Sequence, residues 1–177
     1  MQKKGVNVPG NFVQVSGVIK ESIVDGPGYR YTVFTQGCPH RCPGCHNPQT
    51  FPLDGGAAVN INEFVEDIKQ NPLLKGLTLS GGEPFLQAKT LALLAARVHE
   101  IGKDVIVYTG YTYEQLVEGA NAENGWNELL AQTDYLIDGP FILEQRTLSL
   151  KFRGSTNQRI IDVKETQKTG NLVIKEF

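Results

Sequence analysis

The sequence is poor in cysteine, nearly balanced in charge and without a long apolar run, and each shortage narrows what the chain can be. Only three cysteines occur in 177 residues, all between positions 38 and 45. A disulfide framework calls for an even number of cysteines spread along a secreted chain, so this clustering argues for metal or redox chemistry instead. Lys and Arg number 17 against 19 Asp and Glu, a net charge of −2. So small a charge argues against a general electrostatic grip on nucleic acid or on an anionic membrane. No apolar stretch approaches the ~18 residues of a membrane span; the densest, Leu91 to Ala96, has six. The opening Met1-Gln2-Lys3-Lys4-Gly5 is followed by no apolar signal region, and a cytoplasmic location is expected. Repeats, low-complexity tracts and long linkers are also missing. At ~150 residues per domain the chain amounts to one domain spanning 1–177, and it is too short for a closed eight-unit β/α barrel of about 250 residues.

What is present alternates between strand-like and helix-like segments, the pattern of a parallel sheet with crossover helices. Tyr31 to Thr35 is β-branched and aromatic and runs into Gly37 and the cysteines. Asn60-Ile61-Asn62-Glu63 has the form of a capping box, and Ile61, Phe64, Val65 and Ile68 follow at helical spacing, with Pro72 at the exit. Leu77 to Leu79 reads as a strand ended by Gly81-Gly82-Glu83-Pro84. In the next helix Leu91, Leu94, Ala95 and Val98 share one face, and Gly102 stops it. Val105 to Tyr108 and Tyr135 to Ile137 are further strands, with short helices expected at 113–118 and 126–132. Phe12 to Ile19 alternates weakly and is read as an extra strand. Three strands end in polar or Gly-rich loops, at 37–46, 80–84 and 109–111. Ligands of parallel α/β sheets sit at the carboxyl ends of the strands, so the chemistry is expected there.

The cysteine spacing is Cys38-x3-Cys42-x2-Cys45. Thiolates are soft ligands suited to zinc or to iron–sulfur centres. A structural zinc site wants four protein ligands, and His40 or His46 would have to supply the fourth. The other reading is a 4Fe–4S cluster held by three cysteines. Such clusters usually take four thiolates, so three leave one iron open, where a metal does chemistry. Pro39, Pro43 and Gly44 fit a rigid loop around a compact cofactor.

The CxxxCxxC pattern after the first strand, followed by Gly81-Gly82-Glu83 after the second, resembles the radical S-adenosylmethionine (SAM) family. The resemblance implies a partial, open parallel β/α barrel with a 4Fe–4S cluster on Cys38, Cys42 and Cys45. It implies that the open iron binds SAM and that one electron cleaves SAM to methionine and a 5′-deoxyadenosyl radical. Gly44, Cys45, His46, Gly81, Gly82 and Glu83 are then expected to line the SAM site, with Glu83 adding a negative charge. His46 stands where the family commonly has an aromatic residue near the adenine.

Asp25-Gly26-Pro27-Gly28-Tyr29-Arg30 and the run from Gly37 to Thr50 resemble the activating proteins of glycyl-radical enzymes. Within that group, Val107 to Tyr111, Leu136 to Phe141 and Arg153 to Arg159 are similar to the activating component of anaerobic ribonucleoside-triphosphate reductase. This resemblance covers most of residues 16–163, with 1–11 and 164–177 read as tails. It implies that the partner is that reductase, that the product is a glycyl radical on it, and that a flavodoxin-like protein donates the electron. No nucleic-acid or membrane partner is expected, and no acid–base pair, because a hydrogen atom moves rather than a proton. Asp138 is read either as a contact to SAM or the incoming peptide or as a cap, and Arg153 to Arg159 is left without a role. Two alternatives remain open on the sequence: an activase of another glycyl-radical enzyme, and a non-catalytic zinc-stabilised α/β binding module.

Overall fold

The computed structural model describes residues 10–177. The expected tail at 1–11 falls, up to residue 9, outside the described residues. Seven strands form one open sheet: β1 Phe12–Ser22, β2 Tyr29–Thr35, β3 Ala57–Asn60, β4 Leu74–Gly81, β5 Asp104–Tyr108, β6 Tyr135–Asp138 and β7 Arg159–Asp162, in the order β3-β1-β2-β4-β5-β6-β7. Five helices accompany them: α1 Ile61–Gln70, α2 Ala88–Glu100, α3 Tyr113–Gly119, α4 Trp126–Ala131 and α5 Val163–Thr169.

The expected parallel sheet is found in the centre, and antiparallel strands on both flanks make the whole sheet mixed. β2, β4, β5 and β6 run parallel. β1 is antiparallel to β2 and β3, and β7 is antiparallel to β6. The parallel block is where helices cross over between strands. The antiparallel flanks are joined by other means: a short turn links β1 to β2, and the long excursion 139–158 links β6 to β7.

Alternation along each strand separates the two faces of the sheet. Tyr31, Val33, Leu77, Leu79, Val105, Val107 and Leu136 pack with α1 and α2 in the main core. Their neighbours in sequence, Phe34, Ser80, Ile106, Tyr108 and Ile137, therefore face the other way. The helix faces read from the sequence are the buried ones: Ile61, Phe64, Val65 and Ile68 in α1, and Leu91, Leu94, Ala95 and Val98 in α2. Asn60 caps α1 by accepting from the Asn62 N–H at 3.0 Å. Leu91 is fully buried, so Leu91→Ala is expected to cost about 2–5 kcal/mol of stability in chemical denaturation.

On the second face the amino ends of β2, β4 and β5 are plugged by Arg30, which is wholly buried. Its guanidinium donates to Thr78 Oγ1 at 3.1 Å and to the Leu77 carbonyl at 2.6 Å, and it is paired with Asp104. Burial pushes its pKa down and Asp104 pulls it back up. With this end filled, the open space of the second face lies at the carboxyl ends of the strands.

The C-terminal stretch is not a loose tail. Asp162 caps α5 by accepting from the Glu165 N–H at 3.0 Å, Gly170 ends it in a left-handed conformation, and Ile174 then bridges to Ile161. Phe177 packs edge-on against Tyr135 and Phe152, with centroids 5.1 and 6.0 Å apart.

Candidate functional site

The loops that follow β2, β4, β5 and β6 meet at one edge of the sheet. The backbone stitches the first two together: Gly82 N donates to Thr35 O and Glu83 N to Gly37 O, both at 2.8 Å. This closeness requires glycine at 82, because a Cβ there would sit 2.3 Å from the Gly37 carbonyl oxygen. The absence of a side chain thus serves first to seat the Gly-Gly-Glu loop against the cysteine loop.

The Glu83 side chain joins the third loop. It is fully buried. One carboxylate oxygen accepts from Phe85 N at 3.0 Å, the other from Gly110 N at 2.9 Å, and Thr109 Oγ1 lies 2.9 Å from both. His40, between the first two cysteines, reaches the same carboxylate at 2.8 Å. The His40 ring packs edge-on against Tyr111 at 4.5 Å. Gly110 must be glycine for this, since a Cβ would fall 2.4 Å from the imidazole. Glu83, expected at the SAM site, stands directly after Gly81 and Gly82 with its side chain turned into these loops. Its carboxylate is enclosed and occupied by protein donors, and its charge serves to lock three loops together.

Cys38, Cys42 and Cys45 are half-buried and unpaired. They border a cleft of about 110 Å³ whose other walls include Gly81, Gly82 and Gly110. Cys45 also borders a larger cleft of about 600 Å³, together with His46, Phe34, Ser80, Tyr108 and Phe141. Of the expected SAM-site residues, Cys45, Gly81 and Gly82 meet at the first cleft and His46 stands at the second, its ring 5.4 Å from Phe141. Gly44 lies one residue before Cys45, packed under Leu143. Burial pushes the Cys38 thiol up, the His40 and Arg41 backbone N–H groups lower it again, and the Glu83 charge raises it. Cys45 Sγ accepts from Asn47 N at 3.4 Å.

The donor set fits an iron–sulfur cluster better than a single ion. Among the described residues no three His, Cys, Asp or Glu are arranged to hold one metal ion. A 4Fe–4S cluster makes a different demand, one thiolate on each of three irons. The two histidines that a zinc site would draw on are engaged elsewhere, His40 with Glu83 and His46 beside Phe141.

Known proteins agree with this donor set. A family model described as a 4Fe–4S single cluster domain matches residues 24–161. The anaerobic ribonucleoside-triphosphate reductase-activating protein of Vibrio cholerae is 37% identical over 146 residues, which cover 78% of this chain and 90% of that protein. The chain belongs to the anaerobic ribonucleoside-triphosphate reductase-activating protein family. The family's Escherichia coli member is 34% identical over 77% of this chain and 90% of its own length. A solved structure of QueE from Escherichia coli is also similar, with a TM-score of 0.44 and 17% identity over 57% of this chain and 53% of that one. The cluster of this activating-protein family is the 4Fe–4S kind, which sets aside the zinc-stabilised binding module.

Two sequence features find structural employment. Asp138 is buried; it accepts from Tyr113 N at 2.8 Å, capping α3, and is paired with Arg159. The segment from Gly154 to Arg159 is a knot that closes the loop after β6. Gln158 Oε1 accepts from Gly154 N at 2.8 Å, Gln158 Nε2 donates to Gly139 O at 3.1 Å, and Asn157 Nδ2 donates to Pro140 O at 2.8 Å. Arg159 also binds Glu114 through both carboxylate oxygens at 3.0 and 2.7 Å, holding that carboxyl down at about 2. A depressed carboxyl stabilises the fold above its ordinary pKa of 4.5, and this contribution fades as pH falls from about 5 towards 2. Glu114→Gln is expected to flatten the loss of Tm over that window, as followed by thermal melts at stepped pH.

Sequence reasoning did not single out Thr109, or Arg153 by itself, and considered His40 only as a fourth zinc ligand or as loop structure, not as a partner of Glu83. Their partners lie 26, 23 and 43 residues away, so nothing local announces them.

Proposed function

We propose that the chain is a radical SAM activase that generates a glycyl radical on anaerobic ribonucleoside-triphosphate reductase. The observation that carries this reading is the meeting of three unpaired thiols from one short loop with Gly81 and Gly82 at a single cleft, in a chain whose relatives are named for activating that reductase. Cys38, Cys42 and Cys45 would hold the cluster through their three thiolates, one short of the usual four. When bound, the cluster supplies the electron that splits SAM into methionine and a 5′-deoxyadenosyl radical. Gly81 and Gly82 offer backbone to the amino acid end of SAM, Gly44, Cys45 and His46 flank the rest, and Glu83 fixes the loops from behind. Phe34, Tyr108 and Phe141 give the larger cleft aromatic surface beside Cys45. The chemistry this cleft would serve is removal of a hydrogen atom from a glycine Cα of the partner, which would leave the unpaired electron on that glycine. No side chain needs to move a proton.

In this reading residues 10–177 act as one domain, and β2, β4, β5 and β6 form the parallel part of an open β/α barrel whose unclosed side admits the partner. The electron donor is a flavodoxin-like protein and the setting is the cytoplasm; nucleic acid and membrane have no part. Anaerobic reconstitution with iron and sulfide tests the chemistry: about four irons per chain and 5′-deoxyadenosine formed from SAM on reduction are expected. A reconstituted cluster that leaves SAM intact would overturn the reading.

A further inference from the structure

The larger cleft has a feature that neither the cluster nor SAM accounts for. Its wall on the 146–153 side carries three cations, Arg146, Lys151 and Arg153, while the chain as a whole is weakly acidic. The opposite lip, just after β1, presents Ile23 and Val24, about 70% exposed, next to Asp25; Leu148 is 88% exposed on the cationic side. Gly81 and Gly82 do not border this cleft.

Arg153 differs from the two cations beside it. Its side chain is only 8% exposed, and among the described residues its Nε–H has no acceptor. Buried guanidinium N–H groups are rarely left unpaired, because the desolvation cost is then uncompensated. The segment is held in place around it. Phe152 adopts a left-handed backbone conformation with φ 60°, its carbonyl accepts from Tyr108 OH at 3.0 Å, and its ring packs on Phe177. Among the described residues the one acidic group that reaches Arg153 is Glu176, at 2.5 Å from Nη2, on a side chain that is itself 68% exposed. A buried arginine with one unpartnered N–H is thus held by an exposed carboxylate from the C-terminal stretch.

We infer that Arg153, with Arg146 and Lys151, forms a carboxylate subsite for an acidic side chain of the partner protein, and that Glu176 fills it until the partner docks. This rests on the function proposed above. The occupant is a segment of the reductase bearing Asp or Glu, laid between the apolar lips at Ile23–Val24 and Leu148. SAM also carries a carboxylate, but its amino acid end is assigned above to Gly81 and Gly82, which border only the smaller of the two adjoining clefts, so the partner is taken as the source. Arg suits the role because its planar fork meets a carboxylate at two points.

The test measures the affinity of the reconstituted holoprotein for purified reductase under anaerobic conditions, and in parallel its affinity for SAM alone. Arg153→Gln is expected to weaken reductase binding by about 30-fold or more, with Arg153→Lys recovering part of it. Glu176→Gln, at an exposed position that leaves the fold intact, is expected to tighten binding about threefold or more by vacating the subsite. A merely structural Arg153–Glu176 bridge predicts that both substitutions shift affinity in the same direction, and that result would overturn the inference. Weakened SAM affinity with unchanged reductase affinity in Arg153→Gln would overturn it too, by making SAM the source of the carboxylate. Either failure alongside radical formation by the wild type leaves the proposed function standing; a wild type that does not bind the reductase removes both.

Discussion

Cys42→Ala is expected to leave a folded protein that holds no complete cluster and cleaves no SAM. Iron retained after anaerobic reconstitution should fall well below the wild-type content, and 5′-deoxyadenosine formation should drop by more than about 100-fold. Loss of a group that merely orients a metal ligand already costs 10–100-fold. The fold should survive because none of the three cysteines belongs to the hydrophobic core. The local turn also persists, since the bond closing it runs from Cys45 N to the Cys42 carbonyl at 3.1 Å and needs no side chain. The far-ultraviolet circular dichroism of the variant and its apoprotein melting should therefore match the wild type. Retained SAM cleavage would remove Cys42 from the ligand set.

Glu83→Gln should act in the opposite way, on the scaffold before the chemistry. The buried carboxylate receives the Phe85 and Gly110 N–H groups, the Thr109 hydroxyl and His40. An amide in its place points an NH2 group at one of these donors, whichever way it is turned. Thr109 can reverse its hydroxyl, but the backbone N–H groups cannot. Breaking a buried charged network from one side costs about 3–5 kcal/mol, which chemical denaturation of the apoprotein would read directly. The cluster loop should loosen as well, because His40 loses its anchor between Cys38 and Cys42. A variant within about 1 kcal/mol of wild type would show that the three loops do not depend on this carboxylate.

The two variants together separate holding the cluster from holding the loops. The sequence alone does not make that separation, and the reason is distance along the chain. The cysteines and the Gly-Gly-Glu segment are contiguous motifs after recognisable strands, so the outline of the site is legible. The apolar faces of α1 and α2 are legible too, because burial on one side imposes a 3.6-residue period. What Glu83 does is not legible, since its partners His40 and Gly110 come from other loops. Strand direction is likewise hidden: β1 and β7 have ordinary strand composition, and only the paths of their connections make them antiparallel. β3, with Ala57, Ala58 and Asn60 in four residues, has almost no strand signal and exists through pairing with β1. α5 buries only Val163 and Thr166, too few positions for a periodic face to stand out. Its caps, Asp162 and Gly170, were the local signs of it.

The wide cleft beside Cys45 is built largely by connections rather than by strands. Its mouth is walled by the β1–β2 turn on one side and the 146–153 segment on the other. Both are connections outside the parallel block.

The most direct test of the account is electron paramagnetic resonance on the reductase itself. The reconstituted wild-type chain is reduced anaerobically with SAM and mixed with the purified anaerobic ribonucleoside-triphosphate reductase. A doublet glycyl-radical signal on the reductase, with 5′-deoxyadenosine formed alongside it and both absent with Cys42→Ala, is the predicted result. SAM cleavage with no glycyl signal on the reductase would contradict the choice of target and with it the central claim.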